Sequence, residues 1–325
     1  MPKIRFGILS TAGIAQSALI PATERAENAE TVAIASSSGR AGEVAAKFDI
    51  PKVYESYEAL LDDPEIDAVY IPLPNHLHME WVKKAAEKGK HVLSEKPAAL
   101  NVAETKELVN ACKTNKVKYM EAFMYQFHSQ HDRVKEIIAS GEIGEVQLMR
   151  ASFSFYMDYP EENIRMNPLM GGGCLYDIGS YCIHSIRNIL EDEPENIFVK
   201  SEIDPNFGVD TTTLGMLEMK KGVKAMFDCS FNMPFRPQYE VVGTKGVISV
   251  PRAYRPDKHD HEGLVIVDKE GDVREERIVK DQYKEEVEHF AYAILNDTEP
   301  RYTGEDTIKN MQVIDWCYDL IKMNA

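Results

Sequence analysis

Nowhere in the 325 residues is there an apolar run long enough to span a bilayer, and behind the short basic-apolar stretch of residues 1–9 no extended apolar segment follows. The expectation is that the chain carries neither a secretory signal nor a membrane span, with the cytoplasm as its default compartment. Basic residues are the second shortage: 37 Lys and Arg face 53 Asp and Glu, a formal net charge of −16. Nucleic acids and anionic membranes draw their affinity from cationic side chains, so neither is expected as a partner. Cysteine is scarce and unpaired. Cys112, Cys174, Cys182, Cys229 and Cys317 are odd in number, scattered, and form no C-x-x-C pair of the kind used in zinc or redox sites, so they read as reduced, buried, small hydrophobes. Internal repeats and low-complexity segments are absent as well.

What remains has globular composition, 44% apolar and 28% charged, at a length that suggests about two domains of roughly 150 residues each. The first third alternates β-rich runs over 4–9, 31–35, 67–71, 91–94 and 118–121 with helical periods over 41–48, 57–61, 76–88 and 102–114. That rhythm predicts a doubly wound parallel sheet covered by helices on both faces, a nucleotide-binding architecture. After Glu121 the pattern changes, which puts a boundary at 123/124. One helix over 131–140 is followed by strand-like runs over 147–157, 198–202, 211–219, 223–231, 239–242, 247–250, 264–267 and 274–279, with hairpin signals at 220–222 and 269–271. The expected fold class is α/β: a Rossmann domain over 1–123, then an α+β domain over 124–325 built on a large, open, mostly antiparallel sheet. Helices over 282–295 and 306–322 close it.

The first strand runs into Gly7-Ile8-Leu9-Ser10-Thr11-Ala12-Gly13-Ile14-Ala15 and then a helix, the place where a dinucleotide pyrophosphate meets loop amides and a helix amino terminus. The usual G-x-G-x-x-G/A positions fall on Ser10, Ala12 and Ala15, small residues that still permit a tight approach. Gly7, Ser10, Thr11, Ala12, Gly13 and Ile14 are therefore candidate cofactor contacts, against the alternative of an ordinary small-residue turn. The second strand ends in Ser36-Ser37-Ser38-Gly39-Arg40, without the carboxylate that NAD-selective sites offer to the ribose. Ser36, Ser37 and Arg40 could hold a 2′-phosphate, which favours NADP over NAD. The alternative is a polar loop that caps the next helix.

Two further loops lie beyond strand carboxyl ends, where open α/β sheets bind ligands: Pro72-Leu73-Pro74-Asn75-His76 and Glu95-Lys96-Pro97. Pro72, Asn75, His76, Glu95 and Lys96 are the candidate cofactor contacts there, with His76 bordering the nicotinamide. Lys96 can also donate to, or relay a proton for, a substrate oxygen, unless it is a surface lysine paired with Glu95. Farther on, Gly171-Gly172-Gly173-Cys174-Leu175-Tyr176-Asp177-Ile178-Gly179-Ser180-Tyr181 reads as a glycine turn opening a helix, with Asp177 and Tyr181 four apart on one face. The carboxylate can bind hydroxyls while the phenol trades a proton with a reacting oxygen. A capping aspartate and a core tyrosine would give the same pattern. His184, seven residues from Asp177, is an alternative proton carrier. No metal is expected: the pairs His76 and His78, His128 and His131, and His259 and His261 lack a third convergent ligand.

Taken together, the loop after the first strand, Glu95-Lys96-Pro97 and Gly171 to Tyr181 resemble the glucose-fructose oxidoreductase, inositol dehydrogenase and MocA family. The likeness extends through Gly141-Glu142-Ile143-Gly144 and 239–246 to the closing helices. The resemblance implies a nicotinamide cofactor on the Rossmann domain, substrate at the seam with the open-sheet domain, and a homodimer or homotetramer built on the exposed sheet. It implies Lys96 as the catalytic lysine, Asp177 as a substrate-binding carboxylate, and Tyr181 where many members place a catalytic histidine. The tyrosine form is similar to the branch of dihydrodiol dehydrogenases and sugar 3-ketoreductases, so hydride exchange with a hydroxyl or carbonyl carbon of a sugar, polyol or related diol is the expected activity. The chain departs from the family at Ser10 and Ala12, at Ser37, where NADP-using relatives usually carry arginine, and at Ala98 and Ala99. Two other readings keep the fold: a dinucleotide-binding regulatory module without turnover, and a glycosidase that uses bound NAD for transient oxidation.

Overall fold

The apolar hexapeptide of β1 (Ile4–Leu9) is almost wholly buried, as a strand covered on both faces must be. It lies at the centre of a six-stranded sheet that includes β2 (Ala29–Ala35), β3 (Lys52–Tyr54), β4 (Ala68–Ile71), β5 (His91–Ser94) and β6 (Tyr119–Glu121). This computed structural model describes residues 2–158 and 163–323. The strand order is β3-β2-β1-β4-β5-β6, every pair parallel, so the order reverses between β1 and β4. The helices are α1 (Ile20–Arg25), α2 (Ala41–Lys47), α3 (Tyr57–Leu61), α4 (Asn75–Glu87) and α5 (Val102–Thr114). Local chemistry fixes their starts: Ser56 Oγ accepts the Ala59 N–H at 3.1 Å before α3, and Asn101 Oδ1 accepts the Glu104 N–H at 2.9 Å before α5. Strand β3 had no counterpart in the periodicity, because three half-exposed residues at a sheet edge carry too little pattern.

The single boundary expected at 123/124 is not how the chain divides. One compact unit joins Met1–Met124 to Tyr283–Met311, and the other joins Tyr125–Gln282 to Gln312–Ala325. The returning segment begins α8 (Gln282–Leu295). On it Phe290 sets its ring 6.3 Å from that of Phe6, and Glu288 accepts the Glu27 N–H and the Asn28 side-chain N–H, both at 2.9 Å. Tyr302 meets Phe123 edge-on at 5.7 Å. The late segment thus supplies apolar cover that the first 124 residues lack.

The second unit carries α6 (Gln130–Ala139), β7 (Val146–Ser154), α7 (Ser180–Leu190), β8 (Pro194–Ile203), β9 (Asp210–Met219), β10 (Lys224–Ser230), β11 (Gln238–Gly243), β12 (Val247–Val250), β13 (Glu262–Lys269) and β14 (Asp272–Val279). Its eight strands follow the order β14-β13-β12-β11-β7-β10-β9-β8, antiparallel except for the parallel pair β7 and β10. Both expected hairpins are present, with Gly222 and Gly271 at positive φ in their turns. Alternation divides the faces. Ile197, Leu217, Ala225, Met149, Val241, Ile248 and Val267 form one cross-strand row and are all buried. The neighbouring row, Phe198, Met216 and Met226, is open, with Arg150 and Glu240 continuing it. The final helix is α9 (Gly304–Met323). All five cysteines are buried and free. Among the described residues no group of His, Cys, Asp or Glu forms a metal cluster, and no helix is long and apolar enough to cross a membrane.

Candidate active site

In the first unit every candidate except Gly7 lies at or just beyond the carboxyl edge of the parallel sheet. Ser10, directly after β1, takes φ 141°, a backbone region that glycine enters freely and serine rarely does. Its hydroxyl accepts the Ala12 N–H at 3.0 Å, which holds the loop in place of the missing glycine. The chain then opens not as an α-helix but as a π turn over Ala15–Leu19, and Gln16 donates back to the Thr11 carbonyl at 2.9 Å. A Cβ at Gly13 would meet nothing within 4 Å, so this part of the loop is open to a ligand. Gly7 lies within β1, and a Cβ there would stand 2.6 Å from Leu60 Cδ2, so the glycine serves the packing of α3 on β1.

After β2, Ser36 is buried and its hydroxyl hydrogen-bonds that of Ser38 at 2.8 Å, while Arg40 Nε donates to Ser38 at 3.2 Å. The helix-capping alternative fails here, since α2 has no side-chain cap. Ser37 and Arg40 are exposed beside that turn.

Past β5 the Lys96–Pro97 peptide is cis. Glu95 accepts the hydroxyl proton of buried Tyr70 through one oxygen, and its other oxygen stands 3.4 Å from the Lys96 N–H. Burial and then the Glu95 charge drive the Tyr70 phenol well above its ordinary range. Burial, with Glu95 adding to it, raises the Glu286 carboxyl on α8 well above the carboxylate range. Buried His78 is hydrogen-bonded to the carbonyls of Leu73 at 2.7 Å and Pro97 at 2.8 Å, tying the loop after β4 to the lysine loop. His76, at the start of α4, has a buried Nδ1 without a hydrogen-bond partner. An open Gly13, exposed loop hydroxyls with Arg40, and an orphaned ring nitrogen along one edge fit a phosphorylated dinucleotide.

In the second unit the glycine turn leads into a π turn over Leu175–Gly179 that runs on as α7. Asp210, at the start of β9 and buried, anchors that entry: it accepts the Leu175 N–H at 2.7 Å and the Tyr318 hydroxyl at 2.8 Å, with Cys174 Sγ at 3.1 Å. A Cβ at Gly173, φ 116°, would overlap its Oδ1. Asp177 does not cap the helix. It pairs with Arg165, whose Nε stands 2.6 Å from Oδ2 and Nη2 3.5 Å from Oδ1. Tyr181 is buried in an aromatic shell, its ring centroid 5.4 Å from Phe153, 5.7 Å from Tyr254 and 5.9 Å from Tyr125. His184 hydrogen-bonds Tyr125 through Nδ1. The other histidine pairs have structural partners: His131 meets Tyr239 at 2.8 Å and the Ala253 carbonyl at 3.0 Å, and His128 meets the His261 carbonyl at 3.0 Å.

Arg165, Asp210, Glu286 and His78 have no motif to announce them. Only the odd sight of Arg165 among apolar residues just before the glycines could have pointed to the first.

Residues 4–123 match the oxidoreductase family with an NAD-binding Rossmann fold, and residues 131–249 match the GFO/IDH/MocA C-terminal domain. The chain is 38% identical to a D-xylose 1-dehydrogenase (NADP(+)) of Haloferax volcanii, covering 98% of each chain. It is 33% identical to a dTDP-3,4-didehydro-2,6-dideoxy-alpha-D-glucose 3-reductase of Saccharopolyspora spinosa over 93% of this chain and 92% of the other. Among solved structures, a 3-ketoreductase from Actinomadura kijaniata in complex with NADP and TDP-benzene superposes with a TM-score of 0.89 at 29% identity, covering 98% of this chain and 97% of that one. Fold, both halves of the sequence and the relatives agree: the chain belongs to the Gfo/Idh/MocA family of NAD(P)-dependent oxidoreductases.

Proposed function

We propose that the chain oxidises or reduces a hydroxyl or carbonyl carbon of a sugar or polyol, with NADP preferred over NAD. The observation that carries this reading is the pairing of a carboxylate and a phenol, Asp177 and Tyr181, on the helix that the Asp210 anchor fixes. Bound nicotinamide supplies hydride chemistry. Asp177 accepts hydrogen bonds from substrate hydroxyls and sets which carbon is presented. Tyr181 and Lys96 hold and move the proton of the reacting oxygen, the phenol as the immediate partner and the ammonium as the charge that favours its ionised form. Ser10, Thr11, Ala12, Gly13 and Ile14 receive the pyrophosphate, Ser36, Ser37 and Arg40 the 2′-phosphate, and Pro72, Asn75, His76 and Glu95 border the nicotinamide end. The NADP preference draws support from the absence of a carboxylate after β2 and from the relatives named for NADP.

Two features support an assembly of identical subunits in a reducing, cytoplasmic setting: the apolar open face of the eight-stranded sheet, and five free thiols. The test of the reaction is Lys96→Met. It abolishes turnover of the sugar that the wild type oxidises or reduces, while NADPH binding, read by fluorescence, is retained. Near-normal activity in that variant would remove Lys96 from the proton path.

A further inference from the structure

Lys96 stands in a loop whose backbone is held from three neighbouring elements. β6 runs parallel to β5 with Glu121 in register beside Ser94, and Ala122 donates to the Ser94 carbonyl at 2.8 Å. Glu95 then donates its N–H to the Ile71 carbonyl of β4 at 3.1 Å, and the Pro97 carbonyl stands 2.8 Å from Nδ1 of His78 on α4. Proline has no N–H, so the next amide after Lys96 is that of Ala98, which donates to Glu121 Oε1 at 2.9 Å. Ala98 and Ala99 are wholly buried, and Glu121 is 2% exposed. A carboxyl withdrawn this far from water is unfavourable unless it is hydrogen-bonded, and a buried amide needs an acceptor. Glu121 and Ala98 meet both conditions for each other.

The contact requires an oxygen at the full length of a glutamate side chain. Glutamine supplies one without the charge, whereas aspartate keeps the charge and is one methylene short. We propose that Glu121 is a positioning residue for the reaction: by holding the Ala98 N–H from the end of β6 it sets where the Lys96 loop, and with it the Lys96 ammonium, stands. The inference rests on the reading of Lys96 as a residue that handles the proton of the reacting oxygen. Glu121 acts through the loop backbone and transfers no proton. A displacement of about 1 Å is enough to matter, since proton transfer needs its partners within hydrogen-bond reach.

The probes are D-xylose and D-glucose with NADP+ and the intact protein. Glu121→Ala and Glu121→Asp are expected to lower kcat by about tenfold or more while KM for sugar and cofactor stays within about threefold, and Glu121→Gln to keep kcat within about threefold of wild type. A second readout needs no substrate: the rate at which each lysine is acylated, followed by peptide mass spectrometry. In Glu121→Ala and Glu121→Asp the Lys96 rate is expected to rise by about threefold or more as the loop loosens, with Lys52 on β3 and Lys84 on α4 unchanged, and in Glu121→Gln to stay at the wild-type rate. The melting temperature and NADPH binding establish that each variant is folded. If Glu121→Ala fails that check, the contrast between Glu121→Asp and Glu121→Gln decides the matter. The proposal is overturned if Glu121→Gln loses as much activity as Glu121→Ala, if Glu121→Asp keeps the wild-type kcat, or if Lys96 is acylated at the wild-type rate in every variant. A Lys96→Met enzyme with near-normal turnover removes the reading of Lys96, and a wild type that turns over neither sugar removes these two substrates. In both cases the acylation rates still settle whether Glu121 places the loop.

Discussion

The imidazole of His78 sits between two carbonyl oxygens with no carboxylate among the groups that shift it. A neutral ring can donate to only one of them, so the carbonyls favour the cation. Burial opposes this, with the Lys96 charge and His76 on the same side, and the balance falls to about 4. In the unfolded chain the same group titrates near 6.5. As pH falls the unfolded state binds the proton first. The stability held in neutral His78 is therefore complete above about 6.5 and lost progressively toward about 4, where it amounts to about 3 kcal/mol. Chemical denaturation across that window is expected to show the loss in wild type and a smaller one in His78→Gln. Equal losses would assign the titration elsewhere. Ser10 permits a second residue-level test. Ser10→Gly relieves the positive φ and loses the loop hydroxyl, leaving stability within about 1 kcal/mol of wild type, whereas Ser10→Val keeps the strain without the hydrogen bond and costs about 1–3 kcal/mol by thermal melts. Lys96, Asp177 and Tyr181 were open to proposal from the sequence because each stands in a short local motif. Arg165 was not, because its partner lies 12 residues away, across a loop whose path no periodicity records.

The helix that carries Asp177 and Tyr181 depends on its first turn. Gly173 occupies φ 116° against the Asp210 carboxylate, so Gly173→Ala forces either the strained backbone or the anchor to yield. The expected cost is about 2–4 kcal/mol in denaturant unfolding, with a fall in kcat/KM larger than any change in NADPH binding. An alanine variant with wild-type stability and kinetics would show that the anchor does not hold the helix. At this scale the sequence was readable wherever period and length were both adequate. Helices α3, α5 and α8 and strands β1, β5 and β12 fall where the apolar spacing put them. The two π turns, Ala15–Leu19 and Leu175–Gly179, were not anticipated, because one widened turn shifts apolar positions too little to separate from an α-helix.

For the whole molecule the open face of the eight-stranded sheet is a broad apolar expanse. Phe198 and Leu214 are each 53% exposed and Met226 45%, around a groove of about 710 Å³. Apolar area of this kind is covered in solution by a second copy on the reading proposed above. Leu214→Glu with Met226→Glu is expected to shift the mass measured by light scattering to that of one chain. An unchanged mass would place the contact elsewhere. The alternation of buried and open rows made an open sheet foreseeable, but the division of the chain was not, since nothing in residues 283–311 announces that they belong with the first 124. That return has a consequence for biosynthesis. When the ribosome has finished the six parallel strands, the phenyl ring that covers Phe6 and the backbone carbonyl that accepts from Asn28 are still roughly 170 residues from being made. The nucleotide half is begun first and completed nearly last, so a fragment ending at residue 124 should emerge with its apolar flank bare and prone to aggregate, and adding 283–311 in trans should rescue it.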